Sequence, residues 1–222
     1  RLAYFALYSL QHRGQESAGI ETSSFRKIKV IKRLGLVSQI FNEEKLSLFD
    51  GDIAIGHTRY STTGSDDSKN ASPFVFQSDL GEFAIAHNGN ITNARELRES
   101  LPEETVFSST TDSEVMGYLI ANSQESSFEE RILRVMKELK GAYSVTLLTQ
   151  NALYAFRDPL GFRPLSLAKI NSGYAVSSES CAFGTIGASK IRDIKPGEII
   201  KIEKGGLKSF LFPSTAKSFC IF

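Results

Sequence analysis

Apolar and polar positions along the chain follow two rhythms, a helical spacing concentrated in the first half and an alternation that dominates the second. Leu2, Phe5, Ala6 and Leu10 share one face at helical spacing, predicting a helix that stops at Gln11-His12-Arg13-Gly14. A strand is expected to begin at residues 17–20. Residues 27–32 alternate lysines with Ile28 and Val30, as a half-exposed edge strand does. Residues 43–49 form a short amphipathic helix closed by Asp50-Gly51. An apolar strand over 52–56 feeds His57-Thr58-Arg59-Tyr60, and residues 65–72 are polar and turn-prone.

Residues 74–77 and 83–86 form the next strand pair. The second strand is expected to break into the polar turn His87-Asn88-Gly89-Asn90, ahead of a helix capped by Asn93 and Glu96 that runs through Ser100. Thr111 with Glu114, and Ser127 with Glu130, are capping boxes for two more helices. The first covers 113–122. The second carries Ile132, Leu133, Met136 and Leu139 and ends at Gly141. From Ala142 onward the pattern is strands and turns, at 143–149, 153–156, 165–168, 174–177, 199–203 and 207–211, with Asp158-Pro159-Leu160-Gly161 as one turn. Strands outnumber helices and follow one another at hairpin spacing. The fold class is therefore α+β, with antiparallel sheets packed against helices.

Composition narrows the function. With 222 residues, 41% hydrophobic and 23% charged, the chain supports one substantial core. Its 26 basic and 25 acidic residues give a net charge of +1, which implies no nucleic-acid partner. Apolar runs such as 145–148 are far too short to cross a bilayer, and no secretory leader pattern opens the chain. Two cysteines, Cys181 and Cys220, make no disulfide framework, so a reducing cytoplasm is the expected compartment. Arg1 leads straight into a helical pattern without an initiator methionine, and residues 219–222 stop inside an apolar run. A fragment of a longer protein is expected.

Several residues could carry chemistry. His12, His57 and His87 each adjoin a glycine-bearing polar stretch, but no two share a helix face. No acidic residue stands at ligand spacing from them, so no metal site is expected. Arg59, at a strand end among hydroxyls, suits bidentate capture of a carboxylate, or else a structural ion pair. Asp112 suits an ammonium, or else helix capping. Together they would recognise an amino acid, and the Asn88 amide with the Gly89 N–H could stabilise an oxyanion on a carbonyl it carries. A nucleophile is lacking: Cys181 is expected to pack as a small hydrophobe, and no Gly-x-Ser-x-Gly elbow is present.

QHRGQESAGI (11–20), GHTRYSTTG (56–64), AHNGNITNA (86–94) and TDSE (111–114) resemble the motifs of class II glutamine amidotransferases, most closely those of the amidophosphoribosyltransferase family. FRDPLGFRPL (156–165), SSES (177–180) and RDIKPGEI (192–199) extend the similarity across nearly the whole chain. The resemblance implies the fold of an N-terminal-nucleophile hydrolase: a four-layer αββα sandwich, two antiparallel sheets between helical layers, here without its N-terminal strand. It also implies that Arg59 binds the glutamine α-carboxylate, that Asp112 binds the α-ammonium, and that Asn88 and Gly89 form the oxyanion hole. Arg13, His57, Thr58 and Tyr60 would shape the pocket. The family's nucleophile is an N-terminal cysteine whose own α-amine is the base. It is expected about a dozen residues before Arg1.

Residues 1–213 would then be the glutaminase domain, and 214–222 the start of the connection to a phosphoribosyltransferase domain. That second domain would use Mg2+ and phosphoribosyl pyrophosphate, receiving ammonia for the first committed step of purine nucleotide synthesis. Cys220 aligns with a position that ligates an iron–sulfur cluster in some members, or is an ordinary linker cysteine. A homo-oligomer is expected. Two rival readings are an amidotransferase serving another acceptor, such as that of glucosamine 6-phosphate synthesis, and a scaffold without a nucleophile. Tyr60 and Asn90-Ile91-Thr92-Asn93 favour the purine branch over the first.

Overall fold

The computed structural model describes residues 1–24, 27–60 and 68–212. Every strand pair in them is antiparallel, as the hairpin spacing predicts. β1 (Ser17–Ser24) lies between β2 (Lys27–Leu34) and β3 (Ile53–Arg59), so the lysine-bearing strand is an edge. β4 (Phe74–Ser78), β5 (Gly81–Ile91), β6 (Gly141–Thr149) and β7 (Ala152–Arg157) join β11 (Glu198–Glu203) and β12 (Gly206–Leu211) in a six-stranded sheet of order β12-β11-β7-β6-β5-β4. A third sheet, β10-β8-β9, is built from β8 (Ser166–Ile170), β9 (Gly173–Ser177) and β10 (Ser189–Asp193).

These sheets stack in layers because the central strands bury consecutive residues, and so both faces: β6 and β7 are buried along most of their length. On one face of the six-stranded sheet, Phe83, Ile85, Tyr143, Val145 and Phe156 pack against α5 (Asp112–Asn122) and α6 (Phe128–Met136) through Met116, Ile120 and Ile132, all essentially inaccessible to water. Burying each such side chain contributes about 1.5–3 kcal/mol. On the other face, Ala84 and Ala86 of β5 meet Ile55 of β3, while Ala155 of β7 and Ile200 of β11 meet Leu167 of β8. The two three-stranded sheets thus cover the same face side by side. α1 (Leu2–Ser9) and α7 (Cys181–Ile186) pack on each other and cover β3 and β9 from outside. The succession is helices, sheet, sheets, helices, as the family resemblance implies. The covering layer has a seam: β3 and β9 face each other across an apolar cavity of about 240 Å³ lined by Leu7, Ile55, Ala86, Val145, Val176 and Phe183.

Several local expectations are corrected. In α1, Leu7 is the buried residue, whereas Leu2 and Phe5 are exposed, so the helix turns a different face inward. α4 (Ala94–Ser100) starts after Asn93, but the Asn93 side chain does not cap it. Its amide bridges to Glu138 O and Lys140 N instead, pinning the start of α4 to the turn before β6. α6 stops at Met136, and Gly141 opens β6 rather than ending a helix. Thr111 caps α5 by accepting from Glu114 N, but the Glu114 carboxylate turns away to the amides and hydroxyls of Ser108 and Ser109, so only half a capping box forms. β10 has no sequence signal because all five of its residues are exposed. Cys181 is exposed at the start of α7 rather than packed as a small hydrophobe.

Candidate active site

The site grows from a mismatch in strand length. β4 pairs with β5 only from Gly81 to Ile85, while β6 pairs along the opposite edge as far as Ile91. The expected turn at 87–90 is therefore strand, held in register by Gly141–Val145 on one side and open on the other. The open edge is put to use. His87 O accepts from His57 Nε2 at 2.9 Å, and Ile91 N donates to Asp112 Oδ2 at 2.9 Å. Main-chain groups alternate sides along a strand, so the N–H of Gly89, midway between these two residues, points to the same open edge. Gly89 has φ +154°, and a Cβ there would lie 2.0 Å from Ala142 O. Only glycine fits.

β3 brings the second wall. It continues past the predicted strand end through His57, Thr58 and Arg59. The 3₁₀ turn Gln11–Arg13 docks beside it because Gly14 has no side chain: a Cβ would lie 2.4 Å from the Arg59 carbonyl carbon. Thr58 Oγ1 donates to Leu10 O at 3.4 Å. Arg59 forms an ion pair with Glu16 at 2.9 Å, both largely buried, which supports its structural reading without removing it from the cleft. Arg13 is ion-paired with Glu179, and the latter residue comes from the turn after β9.

Between these walls lies a cleft of about 810 Å³. Arg13, His57, Thr58, Arg59, Tyr60, Asn88, Gly89 and Asp112, the eight residues singled out from the sequence, all line it. Residues 61–64, 214–222 and Cys220 lie outside the described residues. Groups of both charges converge. Burial acts against the charge on Asp112, but the His87 imidazole, 3.6 Å away, and the Ile91 N–H outweigh it and hold its carboxyl below the usual range. Burial first, and the neighbouring His87 second, pull the His57 imidazole down to about 4. It is neutral near pH 7, and since a carbonyl only accepts, its proton sits on Nε2. His87 Nδ1 lies 3.2 Å from Ser113 Oγ. The Asn88 Nδ2 amide is buried with no partner among the described residues. A spare donor of this kind is costly unless a ligand uses it.

Glu179 and Arg163 also line the cleft and were given no role from the sequence. Both sit inside stretches marked by resemblance alone, SSES and FRDPLGFRPL. The second stretch is organised by Asp158, which is wholly buried. Its carboxylate accepts from the backbone N–H groups of Leu160 and Phe162 at 3.1 Å, Arg163 at 3.2 Å and Tyr143 at 3.3 Å. An aspartate in a turn beside a glycine was the available signal, but its partner Tyr143 lies on another strand.

A family profile described as a glutamine amidotransferase domain matches residues 57–185. The chain is 45% identical to an amidophosphoribosyltransferase of Methanothermobacter thermautotrophicus, over 99% of this chain and 47% of that one. It is also 45% identical to the chloroplastic amidophosphoribosyltransferase 1 of Arabidopsis thaliana, over 100% of this chain and 40% of that one. It thus spans about half the length of these relatives or somewhat less. Among solved structures, the glutamine phosphoribosylpyrophosphate amidotransferase from B. subtilis, complexed with ADP and GMP, superposes with a TM-score of 0.92 at 38% identity, covering 99% of this chain and 48% of that one. A class-II glutamine aminotransferase domain protein from Silicibacter pomeroyi, 15% identical with a TM-score of 0.60, shares the fold. With antiparallel layers, the four motifs and a profile match over more than half its length, the chain belongs to the glutamine amidotransferase domain family.

Proposed function

We propose that this chain is the glutaminase domain of an amidophosphoribosyltransferase. The observation that carries the reading is the buried, unpartnered Asn88 Nδ2 next to the Gly89 N–H, which strand alternation turns to the open edge of β5, in one cleft with Arg59 and Asp112. Arg59 holds the α-carboxylate of glutamine and Asp112 its α-ammonium, which leaves the side-chain amide at the two donors. A cysteine thiolate, delivered on a strand that fills the seam between β3 and β9, adds to the amide carbon. The carbonyl oxygen becomes an oxyanion bound by Asn88 and Gly89. Collapse of that intermediate expels ammonia, with its added proton supplied by the cysteine α-amine. Water then cleaves the thioester to glutamate.

The ammonia passes to phosphoribosyl pyrophosphate in an acceptor domain, displacing pyrophosphate and giving phosphoribosylamine, the first committed product of purine nucleotide synthesis. Mg2+ belongs to that acceptor domain on this reading. The described residues hold one cysteine, Cys181, which does not make an iron–sulfur site, and no step here runs through either group. No helix among the described residues is long and apolar enough to cross a membrane, and we place the enzyme in the cytoplasm as a homo-oligomer.

The test is glutamine hydrolysis by the full-length protein. Asn88→Ala should lower kcat by about 10²–10³-fold with little change in KM. Asp112→Asn should raise the KM for glutamine at least tenfold. Native turnover in Asn88→Ala removes the oxyanion role. An unchanged KM in Asp112→Asn removes the ammonium site.

A further inference from the structure

We propose that His12, Glu179 and Cys181 form a binding site for a zinc-type divalent cation at the rim of the cleft. His12 Nε2 lies 2.9 Å from Glu179 Oε2, and Cys181 Sγ lies 3.7 Å from the same oxygen. All three ligand atoms are within 4.8 Å of one another. Zinc takes nitrogen at about 2.0–2.1 Å, carboxylate oxygen at about 2.0–2.2 Å and thiolate at about 2.3 Å, so a tetrahedral set needs ligand atoms about 3.4–3.6 Å apart. The observed spacings meet this with shifts of a few tenths of an ångström to somewhat over one, within reach of exposed side chains.

The site is built from rigid parts. His12 sits on the 3₁₀ turn after α1, and Cys181 opens α7, the helix that α1 packs against. Glu179 stands two residues before Cys181, with its N–H bound to Ser177 Oγ. Arg13 occupies Glu179 Oε1, which orients the carboxylate and leaves Oε2 as a single ligand atom. A charged partner behind a ligating carboxylate is the kind of support that fixes metal ligands. Among the described residues, Cys181 Sγ has one other hydrogen-bond partner, the Ser9 carbonyl at 3.9 Å, so little is lost when it turns to a cation.

One nitrogen, one sulfur and one oxygen select zinc, cobalt or copper over magnesium and calcium, which require oxygen shells. On loading, the Cys181 S–H bond breaks, its proton goes to solvent and a metal–sulfur bond forms. His12 gives up its hydrogen bond to Glu179 Oε2 and binds the metal through a proton-free Nε2, with a ring proton kept on Nδ1, while Glu179 Oε2 binds the metal beside it. The fourth position faces solvent.

The experiment is a titration of the reduced full-length protein with Co2+, read by the thiolate-to-cobalt charge-transfer absorbance and followed by displacement with Zn2+. One equivalent should develop the band, and Zn2+ should bleach it while millimolar Mg2+ does not. Cys181→Ser should abolish the band and weaken Zn2+ binding at least tenfold. His12→Ala should weaken binding at least tenfold. Cys220→Ser should change neither. Absence of the band, its persistence in Cys181→Ser, or native affinity in His12→Ala overturns the site. The readout is metal binding, so it stands apart from the glutaminase reading.

Discussion

The side chain of His57 donates from Nε2 to the main-chain oxygen of His87, 2.9 Å away, and this bond ties β3 to the open edge of β5. Its other nitrogen, Nδ1, is buried without a partner among the described residues. The ring therefore resists protonation, with its pKa lowered from 6.5 to about 4, chiefly by burial. The unfolded chain binds this proton more readily than the folded one between those two values. The stabilising contribution is complete above pH 6.5 and is lost as pH falls toward 4. Because the ring also borders the cleft, we discount the full linkage to about 2 kcal/mol. Urea unfolding at intervals of pH should show this decline, and His57→Gln should flatten it. An equal decline in the variant would assign the effect elsewhere.

Gly89→Ala should disable the site while testing the strand. The added methyl meets Ala142 O at 2.0 Å, and φ +154° strains any side-chain-bearing residue by about 1–3 kcal/mol. Thermal unfolding should report a loss of at least that size. A melting temperature equal to that of the native protein would show that β5 does not hold Gly89 in this conformation.

Asp158→Ala should cost about 3 kcal/mol, because the backbone N–H groups of Tyr143, Leu160, Phe162 and Arg163 lose one shared buried acceptor. Hydrogen exchange should speed most at these amides. Asp158→Asn keeps one acceptor oxygen and should fall between the two, a rank order that plain loss of side-chain volume does not give.

Glu21 is buried on β1 with neither oxygen partnered among the described residues, and burial pushes its carboxyl from 4.5 up to about 8, with Lys32 only partly offsetting this. The folded state therefore binds the proton more readily across that interval, and stability falls as pH rises from 4.5 to 8. Glu21→Gln should be more stable than the native protein by an amount that grows over this window to about 2 kcal/mol near pH 7. Parallel stability curves for the two proteins would contradict it.

Local chemistry in the sequence singled out residues that the fold gathers in one cleft, and described their backbone poorly. Arg59, Asp112, Asn88 and Gly89 stand out because their groups match an amino acid and an oxyanion, and they do share one cleft. The Asn-Gly pair suggests a turn because both residues favour turns locally, yet pairing with Gly141–Val145, some fifty residues on, keeps the segment extended. Glu179 is 166 residues from Arg13, beyond any spacing rule, and meets it only because α7 packs on α1. The exposure of Leu2 and Phe5 has the same origin: tertiary packing chose Leu7 as the inward residue. Candidate side chains were legible wherever residue type alone marked them, and hidden wherever their place depended on which distant strand or helix lay alongside.

On the proposed function, the overhang of β5 past β4 makes catalytic competence a matter of alignment between two strands. Shifting β5 by one residue against β6 would exchange which main-chain groups face the cleft and which side chains face the core. Asn88 and Gly89 would then trade orientations with their neighbours, leaving a chain that is compact, rich in sheet and chemically silent. Folding yield and active fraction need not coincide for such a protein. Gly89 acts as a tally mark between the strands: the residue that fits opposite Tyr143 is also the one whose N–H the proposed oxyanion hole uses.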